Sequence, residues 1–165
     1  MGAQDNLTNV LAVMLGVSIG SGRADLVALA GLSAAVAESV SMGGVLYSST
    51  RAERVLDART AEAAGTTGVA AAPARVGLSP AISGATTFVA ALLGGLVPLL
   101  PFAFVPLPAA VGASIAISVV TLFVLGSAIG RISGSTWWHD GVRLLAVAGL
   151  AALAAALVGT ALPIA

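Results

Sequence analysis

A chain that keeps running for about twenty residues with almost no charge has few folds open to it. Five such segments can be read here: about Asn6 to Ser21, Asp25 to Ser49, Ser79 to Phe104, Ala109 to Ile129 and Gly141 to Leu162. The hydrocarbon core of a bilayer takes roughly 20 residues of helix to cross. Lipid offers no hydrogen bonds to a backbone, so only helices and closed barrels span it. Segment length, with abundant Ala and Leu, favours helices over barrel strands. The first segment is short and must reach back over Gly2 to Asp5 or thin the bilayer locally. Composition agrees: 58% of residues are hydrophobic and 8% charged, where a soluble domain carries about 25% charged. The sequence therefore predicts an all-α integral membrane protein, a single transmembrane domain over residues 1–165 with five transmembrane helices.

The arginines orient these helices. All seven basic residues are Arg. Arg51, Arg54, Arg59 and Arg75 lie between segments two and three, Arg131 lies between four and five, and Arg143 follows just beyond. Only Arg23 falls elsewhere. With five crossings the first six share one side, and the positive-inside rule makes that side cytoplasmic. The N-terminus is then cytoplasmic and the C-terminus outside. Residues 51–78 form a cytoplasmic linker. Arg51 to Glu62 has good helix formers and mixed charge and continues helix two, with Gly65 a plausible stop and Thr66 to Pro73 a flexible link. Pro98, Pro101, Pro106 and Pro108 bend or end helix three near the outer surface. Trp137 and Trp138 mark an interface. The first residues carry no positive charge, so no cleavable signal peptide is expected. The absence of cysteine removes disulfides, thiolate metal sites and Fe–S clusters, and zero net charge gives no reason to expect a nucleic-acid partner.

Glu38 is the chemical anomaly. It lies inside the apolar run Leu26 to Leu46, where an ionisable group costs roughly 3 kcal/mol on insertion scales. Such a group usually faces a partner, a cavity or an ion path. Met42 follows four residues later on the same helical face and adds a thioether, a softer donor than oxygen. Soft sulfur turns a site away from hard cations and toward later transition metals. Ser41 shares that side of the helix. On helix one, Asp5, Asn9, Ala12, Gly16 and Gly20 fall in one wedge. Asp5 and Asn9 are polar, and Gly16 and Gly20 have the GxxxG spacing that lets backbones approach closely. Helix packing alone would explain the stripe. The sharper reading makes Ala12, Gly16 and Gly20 a dimer interface, with Asp5, Asn9, Glu38, Ser41 and Met42 lining a metal path between two copies.

Other candidates read more plainly. Glu53, Asp57 and Glu62 line the extension of helix two and could capture a metal ion, although salt bridges with Arg54 and Arg59 and simple solvation explain them more readily. His139, beside Trp138 and Asp140, suits an interfacial or capping role. There is no Ser/His/Asp arrangement, P-loop or HExxH. No enzyme and no cofactor are expected.

The run Ala37-Glu38-Ser39-Val40-Ser41-Met42-Gly43-Gly44, followed by Tyr47-Ser48-Ser49 and Arg51-Ala52-Glu53-Arg54, resembles helix two of the vacuolar iron transporter family, also called nodulin-21-like. Asp5-Asn6-Leu7 is similar to that family's Asp-Gly-Leu at the start of helix one. Gly95 to Pro101 resembles its third helix, and Gly130 to Gly134 with Trp137 and Trp138 the start of its fifth. The resemblance implies a dimeric five-helix transporter that exports or sequesters Fe²⁺ or Mn²⁺ in exchange for protons, with Asp5 and Met42 matching path residues and the metal ion as cargo. It makes this a short form: residues 51–78 leave little room for the Glu-rich cytoplasmic metal-binding domain of better-known members. The helix-two acid of some members lies where this chain has Ala34, and Glu38 stands one turn on. The reading implies residence in the lipid bilayer of a bacterial or archaeal inner membrane. Its rival is a non-transporting membrane anchor or assembly module for an iron-handling partner.

Overall fold

The computed structural model describes residues 2–63 and 78–162, and every regular element among them is helical. Helices α1 (Gly2–Ser21), α2 (Ala24–Ala63), α3 (Pro80–Leu96), α4 (Leu107–Ser133) and α5 (Trp137–Ala161) follow in order, with a 3₁₀ segment, Val97–Ala103, continuing α3. Gly65, the link Thr66 to Pro73 and Arg75 lie outside the described residues.

The helix ends follow from local chemistry. Gly22 turns α1 into α2 with φ 62°, and Gly134 ends α4 with φ 72°, a left-handed conformation that glycine adopts without a Cβ penalty. The N–H of Ser135 then donates to the Gly130 carbonyl at 3.0 Å. The hydroxyl of Ser79 caps α3 by accepting from the Ile82 N–H at 3.3 Å, with Pro80 in the first turn. The α-helical pattern fails at Pro98 and Pro101. Pro101 has no N–H for the Pro98 carbonyl. The buried Ser114 hydroxyl of α4 donates to that carbonyl instead, at 2.7 Å. One broken backbone bond thereby fastens α4 to the end of α3.

α2 is continuous for 40 residues, about 60 Å at 1.5 Å per residue and twice the thickness of a hydrocarbon core. Its Arg51 to Glu62 stretch is helical, as the sequence reads, and almost wholly exposed. Arg54 Nη2 donates to the Leu78 carbonyl at 3.1 Å and ties this stretch to the start of α3.

α1 is the innermost helix and touches α2, α3, α4 and α5. It runs antiparallel to α2. It is parallel to α5, since Gly16 lies on Ala155 and Gly20 on Gly159. Its Val10 and Met14 pack with Val27 and Ala35 of α2, and its Leu7 packs with Leu122 of α4 and Ala148 of α5. The outward faces carry Leu29, Leu93, Val120 and Leu150, all more than half exposed, as a lipid-facing surface requires. α2, α3 with its 3₁₀ continuation, α4 and α5 are long and apolar enough to cross a membrane. That makes four such helices among the described residues, where the sequence reading expects five. α1, at 20 residues, is long enough to cross, but Gln4, Asp5, Asn6, Thr8 and Asn9 dilute its hydropathy. The chain is an all-α membrane protein.

Candidate functional site

The α1–α2 hairpin is registered by a buried carboxamide. Asn6 is fully buried. Its Nδ2 donates toward the carbonyls of Ala35 (3.0 Å) and Ala91 (2.9 Å) and the Ser39 hydroxyl (2.9 Å). Reversing the amide would set Oδ1 against two carbonyls that can only accept, so the hydrogen-bond pattern fixes its orientation. Asn6 follows Asp5 and Ser39 follows Glu38. The pin therefore sets which turn of α1 lies against which turn of α2, and leaves Asp5 and Glu38 on the neighbouring, open side.

Two depressions lie there. The first, about 330 Å³, is lined by Gln4, Asp5, Thr8 and Asn9 of α1, Glu38 and Met42 of α2, and Leu144 and Val147 of α5. The second, about 510 Å³, is lined by Asn9, Ala12 and Val13 of α1 and by Ala34, Ala37, Glu38 and Ser41 of α2. They share Asn9 and Glu38, and both are open-sided. Glu38 and Met42 are half-buried, while Asp5, Asn9 and Ser41 are exposed. Among the described residues none forms a hydrogen bond or ion pair with Glu38. Its carboxylate is not consumed by the fold.

The structure thus brings Asp5, Asn9, Glu38 and Met42 to one depression, with Ser41 and Ala12 in the adjoining one. Gly16 and Gly20 part from that group. A Cβ on Gly16 would meet the Ala155 carbonyl oxygen at 3.0 Å, and one on Gly20 would meet the Gly159 oxygen at 3.3 Å. Their close-approach spacing serves α5 of the same chain. Glu53, Asp57 and Glu62 are exposed along the α2 extension. Among the described residues no three His, Cys, Asp or Glu side chains converge as metal ligands, so this trio is not gathered into one capture site.

Sequence reasoning missed Gln4, Thr8, Leu144 and Val147. Gln4 and Thr8 are legible in hindsight, because they repeat one turn apart beside the pair Asp5 and Asn9. Leu144 and Val147 carry no polar signal and reach the site only through the parallel packing of α1 and α5. Asn6 stands where the similar motif has Gly, and its role as a three-helix pin needs the partner carbonyls to be seen.

Chemically, the depressions offer two carboxylates, two carboxamides, hydroxyls and one thioether in apolar surroundings. Two acids beside open space attract a cation, and the sulfur moves the preference away from hard, all-oxygen ions. One chain supplies only part of a coordination shell, which suits brief rather than permanent occupancy.

A model of the VIT family matches residues 1–66 and 51–160 of the chain. The chain is 32% identical over 156 residues to vacuolar iron transporter homolog 2 of Oryza sativa subsp. japonica, an alignment covering 93% of this chain and 82% of that protein.

Proposed function

The chain belongs to the VIT family, and from that premise we propose that it carries divalent transition-metal ions, Fe²⁺ or Mn²⁺, across its membrane in exchange for protons. The observation that carries this reading is the meeting of Asp5 and Asn9 of α1 with Glu38 and Met42 of α2 at one open depression. In the proposed cycle Glu38 and Met42 hold the ion after partial dehydration, Asp5 and Asn9 bracket it one helix away, and Glu38 takes a proton as the ion departs. α1 crosses as a fifth span, covered by the helices around it except along the stripe that carries Asp5 and Asn9. This keeps the arginine-rich ends on the cytoplasmic side, with the N-terminus inside and the C-terminus outside.

A half-shell of ligands open on one side calls for a second half. Two copies related by a two-fold axis would face these depressions together and supply four carboxylates and two thioethers. The position of the family's helix-two acid, Ala34 here, lines the same open face as Glu38, which supports Glu38 as its replacement one turn along.

The test is Mn²⁺ and Fe²⁺ flux into proteoliposomes with and without a pH gradient. A pH gradient of the right sign accelerates wild-type flux. Glu38→Gln lowers it by about tenfold or more, as loss of a metal-site partner commonly does. Undiminished flux in Glu38→Gln would remove that residue from the mechanism. A wild-type protein inert to both metals would favour the anchoring role instead.

A further inference from the structure

A third depression, about 320 Å³, opens between the start of α1, the end of α4 and the start of α5. It is lined by Gln4, Ser133, Asp140, Arg143, Leu144 and Val147. Gln4, Leu144 and Val147 also line the depression that holds Asp5, Glu38 and Met42. The two are neighbours around one carboxamide. The Gln4 Oε1 atom is buried and accepts no hydrogen bond among the described residues, an uncommon state for a buried acceptor. Asp140 Oδ2 accepts from the Ser135 hydroxyl, and its other oxygen takes no bond among the described residues. Arg143 shares the pocket with Asp140, yet the pair is not among the ion pairs of the described residues.

We propose that this third depression is a side intake, in which a hydrated divalent cation pauses at Asp140 and passes Gln4 to reach Asp5, Glu38 and Met42. The inference rests on the transport reading and adds a route into it. Its donor set is all oxygen: a carboxylate, a carboxamide and the Ser133 hydroxyl. Such a set suits a cation that keeps several waters, whereas the thioether lies only at the inner site. Gln4 lines both depressions, at the point where an ion shedding water needs a replacement dipole. Arg143 lines the same pocket and repels the ion when it is filled. That repulsion keeps residence short, as a waystation requires. The plain alternative is that Asp140 only steadies the first turn of α5 through Ser135, a role that asparagine would largely retain.

The experiment uses the full chain in proteoliposomes with Mn²⁺ as probe. Asp140→Asn should raise the half-saturating Mn²⁺ concentration roughly tenfold while maximal flux at saturating Mn²⁺ stays within about twofold, the signature of lost uniform binding. Asp140→Glu should restore most of the affinity, and Arg143→Gln should lower the half-saturating concentration. Because the chain has no cysteine, Val147→Cys gives a second readout: a membrane-impermeant thiol reagent should block flux, and Mn²⁺ should slow the block. Unchanged half-saturation in Asp140→Asn, failure of Asp140→Glu to rescue, or modification of Val147→Cys indifferent to Mn²⁺ would overturn the intake. Wild-type protein without Mn²⁺ flux would instead sink the transport reading, so the two failures are told apart.

Discussion

At Asn6 a carboxamide with two N–H groups faces three acceptors, the carbonyls of Ala35 and Ala91 and the hydroxyl of Ser39. Its Oδ1 accepts nothing among the described residues. Gly95 makes the room: a Cβ there would sit 2.8 Å from that oxygen. The arrangement is tuned to a donor, so the sign of substitution effects can be derived. Asn6→Ala deletes interhelical bonds worth about 0.6–2 kcal/mol each within a membrane. Asn6→Asp turns donors into acceptors against acceptors and buries a charge, at a cost of about 3–5 kcal/mol. Unfolding in detergent, followed by circular dichroism, should rank Asn6→Asp well below Asn6→Ala. Equal losses would mean that Asn6 contributes volume and not hydrogen bonds. A second expectation concerns Ala34 and Glu38, which line one depression a turn apart. Glu38→Ala should abolish Mn²⁺ flux, and adding Ala34→Glu should recover a measurable part of it. Without recovery, the site needs its acid at position 38 itself. Glu38, Met42, Asp5 and Asn9 were legible because polar or soft atoms recur at helical spacing inside apolar runs. Asn6 was not, since an isolated asparagine at the head of a helix looks the same whether it caps, solvates or pins.

At the scale of the elements, the helices approach through glycine. A Cβ on Gly43 of α2 would lie 3.0 Å from the Gly84 carbonyl oxygen, and one on Gly84 of α3 would lie 2.8 Å from the Gly43 oxygen. These neighbours are backbone and cannot swing aside. Gly43→Ala and Gly84→Ala should each cost about 1–3 kcal/mol of overpacking, more than the gain in helix propensity returns. Gly112 of α4 has no atom within 4 Å of a built Cβ, so Gly112→Ala should stabilise by up to about 1 kcal/mol. Thermal unfolding of the three variants side by side checks this, and similar midpoints for all three would refute the packing account. The helices themselves were largely readable from apolar run length. The exceptions have physical causes. The third segment splits at Leu96 because Pro98 and Pro101 withdraw backbone donors, and Ser114 repairs the loss from another helix. α1 is as long as a span but polar along its first half, where Asn6 is buried among its neighbours while Asp5 and Asn9 stay exposed. The spacing of Gly16 and Gly20 announced a close contact without saying which helix would make it.

For the whole molecule, the question is what covers the face that joins the two adjoining depressions. Asp5 and Asn9 are exposed there and Glu38 is half-buried, and hydrocarbon is a poor neighbour for a carboxylate. Water or a second chain must meet them. In the proposed dimer the α1–α2 faces of two copies oppose each other, and the shared space becomes a conduit. Ala12 lines the open face, whereas Gly16, one turn on, is turned into α5. Ala12→Cys should therefore form a disulfide between copies under mild oxidation in native membranes, because such bonds need Cα atoms within about 7 Å. Gly16→Cys should not, since its side chain would press on the Ala155 backbone. Efficient pairing through position 16 with none through position 12 would require another face of α1 to meet the partner. Failure of both would leave the depressions open to lipid or water and remove the two-fold conduit from the mechanism.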